Sequence, residues 1–220
     1  MTWDWAYAIE ILPQLLDGLK VTLLATLSGG LVAMSLGLII AIVIRSGPIG
    51  VKVPLVAVTD FIRSTPLLVQ LYVIFFLLPE IGVTLTPFVA GVIGIGLHYS
   101  CYTAEVYRAG IENVPREQWE AAKAVNMTRM QTWRHVIIPQ AVPPVVPALA
   151  NYIIGMFKET ALLSAITVVE LMTQAQHIAN FTYRYIEPFT MVGLIFVILS
   201  IPATLAVKVI ERHFDLQSVR

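Results

Sequence analysis

The sequence is poor in charged residues. Of its 220 residues, 13% are charged and 57% are hydrophobic. Soluble domains carry about 25% charged residues, so water is not the main solvent of this chain. The formal net charge of zero identifies no partner, because what matters is where the few charges lie. The composition therefore predicts a protein that lies largely in a lipid bilayer.

Other features are missing as well. A single cysteine, Cys101, excludes an internal disulfide, and we expect it to be a small buried side chain. The chain lacks a G-x-x-x-x-G-K-[ST] loop, so we expect it to bind no nucleotide itself. No cysteine or carboxylate stands at ligand spacing, so we expect no metal site. The first residues lack a basic region before an apolar run, which argues against a cleavable signal peptide.

What the sequence does have is long apolar runs. A helix needs roughly 20 apolar residues to cross a bilayer. We predict an all-α, polytopic membrane protein with a single domain over 1–220 and no internal repeat. Its five predicted spans cover about 21–44, 54–78, 86–107, 136–157 and 188–207. Ahead of them, Trp3, Trp5 and Tyr7 favour the headgroup layer and predict a short surface helix over 1–20, which Pro13 can break. Residues 158–186 predict a connection with one or two short helices.

The lysines and arginines predict the orientation of the chain. Ten of the fourteen lie in three segments, 45–52, 108–134 and 208–220. Because positive residues favour the cytoplasmic side of a membrane, we expect these segments and the C-terminus in the cytoplasm. The N-terminus is then expected on the outside.

The fourth predicted span carries four prolines. Each one removes a backbone donor and crowds the preceding turn, so we predict a broken helix. Freed carbonyls at membrane depth need cover from protein or a water-filled cavity, which places this span inside a bundle. Five helices leave little room to enclose a polar path, so we also expect a second membrane subunit. The prolines are Pro139, Pro143, Pro144 and Pro147.

The polar segment 108–134 predicts a short amphipathic helix. Pro115 suits the first turn of a helix, and Glu117 and Glu120 follow near its positive end. Trp119 and Ala122 supply an apolar side. Asn126 is a plausible left-handed stop, a position usually held by glycine. From these residues alone, a docking surface and a cytoplasmic surface helix without a partner remain equally open.

Four short motifs resemble one known family. Glu120-Ala121-Ala122, then Asn126, then Val136-Ile137-Ile138-Pro139 resembles the EAA signature of ABC importer membrane subunits, with Asn126 in place of its glycine. Three further segments resemble motifs of the polar amino acid branch of that family. They are RSTPLLVQ at 63–70, YTAEVYRAGI at 102–111 and KETAL at 158–162.

The resemblance implies a type I ABC importer permease fold with a cytoplasmic coupling helix. Its partners would be an ABC ATPase subunit dimer, a second permease subunit (the same or a paralogous chain) and an extracytoplasmic solute-binding protein. The cargo would be a small polar amino acid or a compatible solute such as ectoine. ATP and Mg would bind to the ATPase subunits, leaving this chain without a cofactor. We expect a bacterial inner-membrane protein that contacts lipid and no nucleic acid. The coupling residues would be Glu117, Trp119, Glu120, Ala121, Ala122 and Asn126.

Polar residues within the spans predict a substrate path. Charges at membrane depth usually face the bundle interior, and the clearest pair is Lys158-Glu159. Both can instead snorkel outward. Asp60 can pair with Arg63, and Glu105 with Arg108, while span hydroxyls often bond to their own helix carbonyls. We expect His98 to be a satisfied bundle histidine. The predicted path residues are Arg63, Gln70, Ser100, Glu105, Lys158, Glu159, Thr160 and Ser164.

Two other functions predict different sequences. An ion-coupled secondary transporter predicts ion-binding carboxylates at the midplane and an internal pseudo-repeat, and we find neither. A membrane scaffold that transports nothing would have no reason for a proline-rich interior span. The sequence therefore favours the ATP-driven importer subunit over both.

Overall fold

The computed structural model describes residues 3–218, with side chains up to residue 212. The regular structure of this part of the chain is entirely helical. Two π-helical segments (Val73–Leu77 and Trp133–Ile137) and two 3-10 segments (Leu78–Ile81 and Thr160–Ile166) interrupt or extend the α-helices. The α-helices are α1 (Trp5–Ser46), α2 (Ile49–Arg63), α3 (Leu67–Tyr72), α4 (Pro87–Glu112), α5 (Arg116–Ala124), α6 (Arg129–Thr132), α7 (Ile138–Glu159), α8 (Leu171–Thr182) and α9 (Ile186–Ser218).

Helix α1 is continuous over 42 residues with Pro13 inside it. The separate surface helix predicted over 1–20 is therefore wrong. The reason is packing: Ile11 and Leu15 join a buried cluster with α8 and α9, which holds the first turns of α1 in line. Asp4 begins the helix, because its carboxylate accepts the backbone N–H of Tyr7 at 3.3 Å. That hydrogen bond also holds the pKa of Asp4 below its ordinary value.

The second predicted span is not one straight helix. The chain bends by 105° between α2 and the segment Leu67–Ile81. Pro66 causes the bend, because it lacks an N–H and restricts Thr65 before it. The side-chain amide of Gln70 donates to the carbonyls of Ile62 at 2.8 Å and of Thr65 at 3.2 Å. Gln70 thus satisfies the carbonyl of Thr65 at the break and adds a donor to that of Ile62, which also accepts the N–H of Thr65 at 3.3 Å.

The predicted break in the fourth span is also wrong. α7 is continuous although Pro143, Pro144 and Pro147 lie inside it. The irregular part is the preceding π-helical segment Trp133–Ile137, in which the helix is wider than an α-helix, just before Pro139. α7 packs against α4, α9 and α1, but Val142 remains 43% exposed. In this chain α7 is therefore buried on one side only.

Helix α1 lies along α4 over much of its length. Small residues allow the close approach: a Cβ atom on Gly37 would lie 2.8 Å from the carbonyl oxygen of Ser100. Gly110 allows α4 and α7 to approach closely in the same way, since a Cβ atom on Gly110 would lie 2.9 Å from the carbonyl oxygen of Ala141. α1, α4 and α7 thus form the tightly packed centre of the described chain, and Cys101 is buried there as expected.

Three helical segments are long and apolar enough to cross a membrane, Trp5–Ser46, Arg129–Ile166 and Ile186–Arg212. The bent pair Ile49–Arg63 and Leu67–Ile81 would make a fourth span. α4 has 26 residues, about 39 Å at 1.5 Å per residue, but it is more polar. The count of five spans stays a prediction. The connection after α7 does contain two short helices, as predicted.

Candidate functional site

The predicted amphipathic helix is present as α5. It begins directly after Pro115, which occupies the N-cap position. Asn126 has φ of 54°, which confirms the left-handed stop. The N–H of Asn126 donates to the carbonyl of Lys123, and the N–H of Met127 donates to that of Ala122, both at 3.0 Å. This pair of hydrogen bonds is the Schellman ending that glycine usually provides.

The two sides of α5 differ as their sequence predicts. Ala122 is 2% exposed, and Trp119 packs edge-on against Trp133 with ring centroids 5.3 Å apart. These side chains therefore hold α5 to its own chain, with Ala122 buried and Trp119 half-buried. Glu117, Glu120 and Ala121 are exposed on the other side. Arg116 and Lys123 are exposed on α5 as well, so its outer face is short, uncovered and charged with both signs.

A second group of residues lies between α4 and α7. Tyr99 and Tyr102 of α4 contact Tyr152 of α7, and His98 of α4 contacts Tyr99 and Tyr102; we call these four residues the aromatic cluster. The ring centroids of Tyr152 lie 5.9 Å from Tyr99 and 5.8 Å from Tyr102. Sequence reasoning missed Tyr99 and Tyr152. The available signal for Tyr99 was its spacing of three residues from Tyr102 in HYSCY, and no local spacing marks Tyr152.

Several predicted path residues adjoin the aromatic cluster. His98 Nδ1 lies 3.2 Å from Gln70 Oε1, so His98 has a partner as expected. One carboxylate oxygen of Glu159 is buried without a hydrogen-bond partner among the described residues, and the carboxylate lies close to Tyr99. Lys158 is exposed, whereas Glu159 is half-buried. The two neighbouring residues predicted for the path thus lie in different surroundings.

The predicted path hydroxyls are already engaged. Ser100 donates to the carbonyl of Leu97, and Ser164 donates to that of Ala161, both at 2.7 Å. Thr160 is buried and donates to its own helix in the same way. This confirms the alternative in which span hydroxyls bond to nearby carbonyls. Since their protons are used in this way, these three hydroxyls are left as hydrogen-bond acceptors only.

An open cavity of 510 Å³ lies between the ends of α1, α2 and α4. Charged side chains line much of it. Arg63 pairs with Asp60 at 2.5 Å, and Arg108 pairs with both Glu105 and Glu112, in the second case at 2.9 Å. The two predicted ion pairs are thus confirmed. The Tyr102 hydroxyl donates to the carbonyl of Arg63 at 3.3 Å, so the cavity ends beside the aromatic cluster.

A helical membrane bundle with an uncovered amphipathic helix beside a charged cavity defines a membrane transport subunit. The family described as "Binding-protein-dependent transport system inner membrane component" matches residues 33–216, and the chain belongs to it. It is therefore a multi-pass inner-membrane transport component, a non-catalytic permease subunit that works with an ATPase, a paired permease and a substrate-binding protein.

Relatives and solved structures agree with this assignment. The chain is 41% identical to a "Probable amino-acid ABC transporter permease protein" of Sinorhizobium fredii, over 99% of this chain and 96% of the relative. It is 32% identical to the "Arginine transport system permease protein" of Bacillus subtilis, over 96% and 97%. A solved structure titled "Crystal structure of an amino acid ABC transporter with histidines" matches with a TM-score of 0.91 and 36% identity, covering 97% of this chain and all of that one.

Proposed function

We propose that the chain forms the translocation path of an ATP-driven importer for polar amino acids, and that α5 is the element through which the ATPase drives it. The observation that carries the proposal is the two-sided character of α5. Trp119 and Ala122 hold the helix to the bundle, while Glu117, Glu120 and Ala121 face outward. A force applied to the outer face is therefore passed to the membrane helices.

The polar groups support a path across the chain. Glu159 and the aromatic cluster occupy its middle, and the charged cavity continues from Arg63 and Glu105 towards the ends of α1 and α4. A half-buried carboxylate with one buried, unpartnered oxygen, next to tyrosine rings, suits a substrate that carries an ammonium or amidinium group. A zwitterionic or cationic amino acid meets this requirement, and a relative is named for arginine.

The surface of the chain supports further partners. Large hydrophobic side chains are exposed on α1, α2 and α9, among them Leu31, Phe61 and Ile198 at 70%, 69% and 64%. In a membrane protein such surface is covered by lipid or by another subunit. We propose a second permease subunit, an ATPase dimer that holds ATP and Mg, and an outer binding protein. The N-terminus lies outside and α5 in the cytoplasm, which labelling of tagged ends from each side of sealed membranes would check.

The docking role of α5 is tested by Glu120→Lys in the complete complex. This change reverses one charge on the exposed outer face, beside Lys123, without touching the side chains that hold α5. We expect ATPase association and substrate uptake to fall at least about tenfold. A tenfold loss of affinity corresponds to about 1.4 kcal/mol, which the reversal of one charge at a docking surface can supply. Glu211→Lys, the same change on exposed α9, is the control and should leave both unchanged. Normal assembly and uptake in the Glu120 variant would refute the docking role.

The same vesicles separate the importer from an ion-coupled transporter. Uptake by the proposed complex requires added ATPase, binding protein and ATP, and it does not respond to an ionophore. Uptake by this chain alone that an ionophore abolishes would establish the secondary transporter instead.

A further inference from the structure

Arg45 stands where α1 meets the coupling segment. Its guanidinium carbon lies 5.4 Å from the ring centroid of Trp119 and 5.5 Å from that of Trp133. The two rings meet edge to face at 85°. One cation thus contacts both tryptophans, which belong to two different segments of the chain.

The contact with the rings is the interaction that fixes Arg45. Within the described residues it forms no ion pair, although acidic side chains line the same cavity. A cation in the last turn of α1 is favoured by the helix dipole. The dipole does not explain why the guanidinium lies over two indole rings, whereas the attraction between a cation and the face of tryptophan does.

The packing of α5 shows why this contact matters. The backbone contacts of α5 are chiefly with α6 and with the π-helical segment Trp133–Ile137, which leads into α7. α1, by comparison, packs mainly along α4. Arg45 therefore joins α5 to a helix that its own backbone packing reaches only weakly.

The same side chain belongs to the wall of the charged cavity. Arg45 and Ile44 of α1 line it together with Lys52, Asp60 and Arg63 from the α2 region. A shift of the tryptophans relative to α1 would therefore move a wall of the cavity. Arg45 is the one lining side chain of this cavity whose guanidinium lies over both tryptophans.

We propose that Arg45 is a positioning residue that ties α5 to the end of α1, so that movement of α5 reshapes the cavity through α1 as well as through α7. This inference rests on the proposed docking role of α5. The contact lies within this chain and joins the guanidinium of Arg45 to the indole rings of Trp119 and Trp133.

The experiment compares Arg45→Gln with Arg45→Lys in the complete complex, reconstituted in proteoliposomes. The glutamine variant loses the cation, and the lysine variant keeps it. We expect Arg45→Gln to keep ATPase association and ATP hydrolysis while substrate uptake per ATP falls about fivefold or more. Arg45→Lys should stay within about twofold of the wild type. Lys52→Gln, which removes a cation from the same cavity but not from the tryptophans, is the matched control and should have little effect.

A second variant protects the test if Arg45→Gln fails to assemble. Trp119→Phe combined with Trp133→Phe keeps aromatic packing but weakens the attraction for a cation, and it should lower uptake per ATP in the same direction. An unchanged ratio in Arg45→Gln, or an equal fall in Lys52→Gln, would overturn the proposal. Failure of the docking role would appear separately, as normal ATPase association in Glu120→Lys.

Discussion

At the scale of single residues, Glu170 joins two distant parts of the chain. Its carboxylate begins α8 by accepting the N–H of Met172 at 2.9 Å and that of Thr173 at 2.8 Å. It also accepts the hydroxyl of Thr22 at 3.4 Å, and Thr22 in turn accepts the N–H of Leu171 at 3.2 Å. Since Glu170 is fully buried, this network holds α8 to α1 with its polar groups satisfied.

Glu170→Ala should therefore destabilise the fold. It removes the N-cap of α8 and takes the acceptor from three donors, the N–H groups of Met172 and Thr173 and the hydroxyl of Thr22, which costs about 1–3 kcal/mol. The free energy of unfolding in detergent, followed by helix content, checks this. Glu10→Ala removes an exposed carboxylate with no cap role and should change that free energy by less than about 0.5 kcal/mol. Equal stability of the two variants would contradict the role of Glu170.

Asn126 is a residue whose backbone conformation could be predicted from the local sequence. The motif predicts a left-handed residue after a helix, and the structure has one there at φ of 54°. This succeeded because the ending of α5 depends on neighbouring residues only. Glu170 was missed because its partner Thr22 is 148 residues away, and no spacing along the chain reports that contact.

At the scale of elements, the helix breaks are not where proline alone places them. Pro66 does produce a sharp bend, and the side-chain amide of Gln70 satisfies the carbonyl of Thr65 beside it. Pro143, Pro144 and Pro147 do not break α7. The difference lies in the surroundings: close packing on Gly110 keeps α7 helical, and the π-helical segment before Pro139 absorbs the misfit. Proline predicts a lost hydrogen bond, while packing decides how the chain responds.

The C-terminal end of α5 depends on the left-handed conformation of Asn126, which a substitution can test. Asn126→Val places a β-branched residue at positive φ, which costs about 1–3 kcal/mol, so the last turn of α5 should open. Hydrogen exchange across residues 116–127 should speed up, and ATPase association should weaken. Asn126→Gly, which suits the same conformation, is the control and should behave like the wild type. Equal exchange in the valine and glycine variants would refute this account.

At the scale of the whole molecule, the polar groups form a line through an apolar bundle. Glu159, the aromatic cluster and the charged cavity follow one another between α7, α4 and α2. The residues predicted for the path divide accordingly. Gln70, Arg63 and Glu159 contact the aromatic cluster or line the charged cavity, whereas Lys158, next to Glu159 in the chain, is exposed.

Glu159→Gln tests the proposed path as a whole. A hydrogen bond to a charged group contributes about 1.5–3 kcal/mol, so uptake of radiolabelled arginine should fall about tenfold or more. ATPase association should not change, because the substitution is remote from α5. Lys158→Gln is the neighbouring control and should leave uptake nearly unchanged. If Lys158→Gln lowered uptake and Glu159→Gln did not, the path would have to run elsewhere.

The sequence by itself determined the membrane character, the amphipathic α5 with its left-handed stop, and the family, since each depends on composition or on residues close together in the chain. The tertiary structure alone decided that α1 runs unbroken, that α7 stays helical through its prolines, and that Tyr99 and Tyr152 meet beside Glu159. It also decided that Arg45 lies over Trp119 and Trp133, which follow it by 74 and 88 positions. Such contacts arise when helices pack against one another, and periodicity within one helix does not specify its partner.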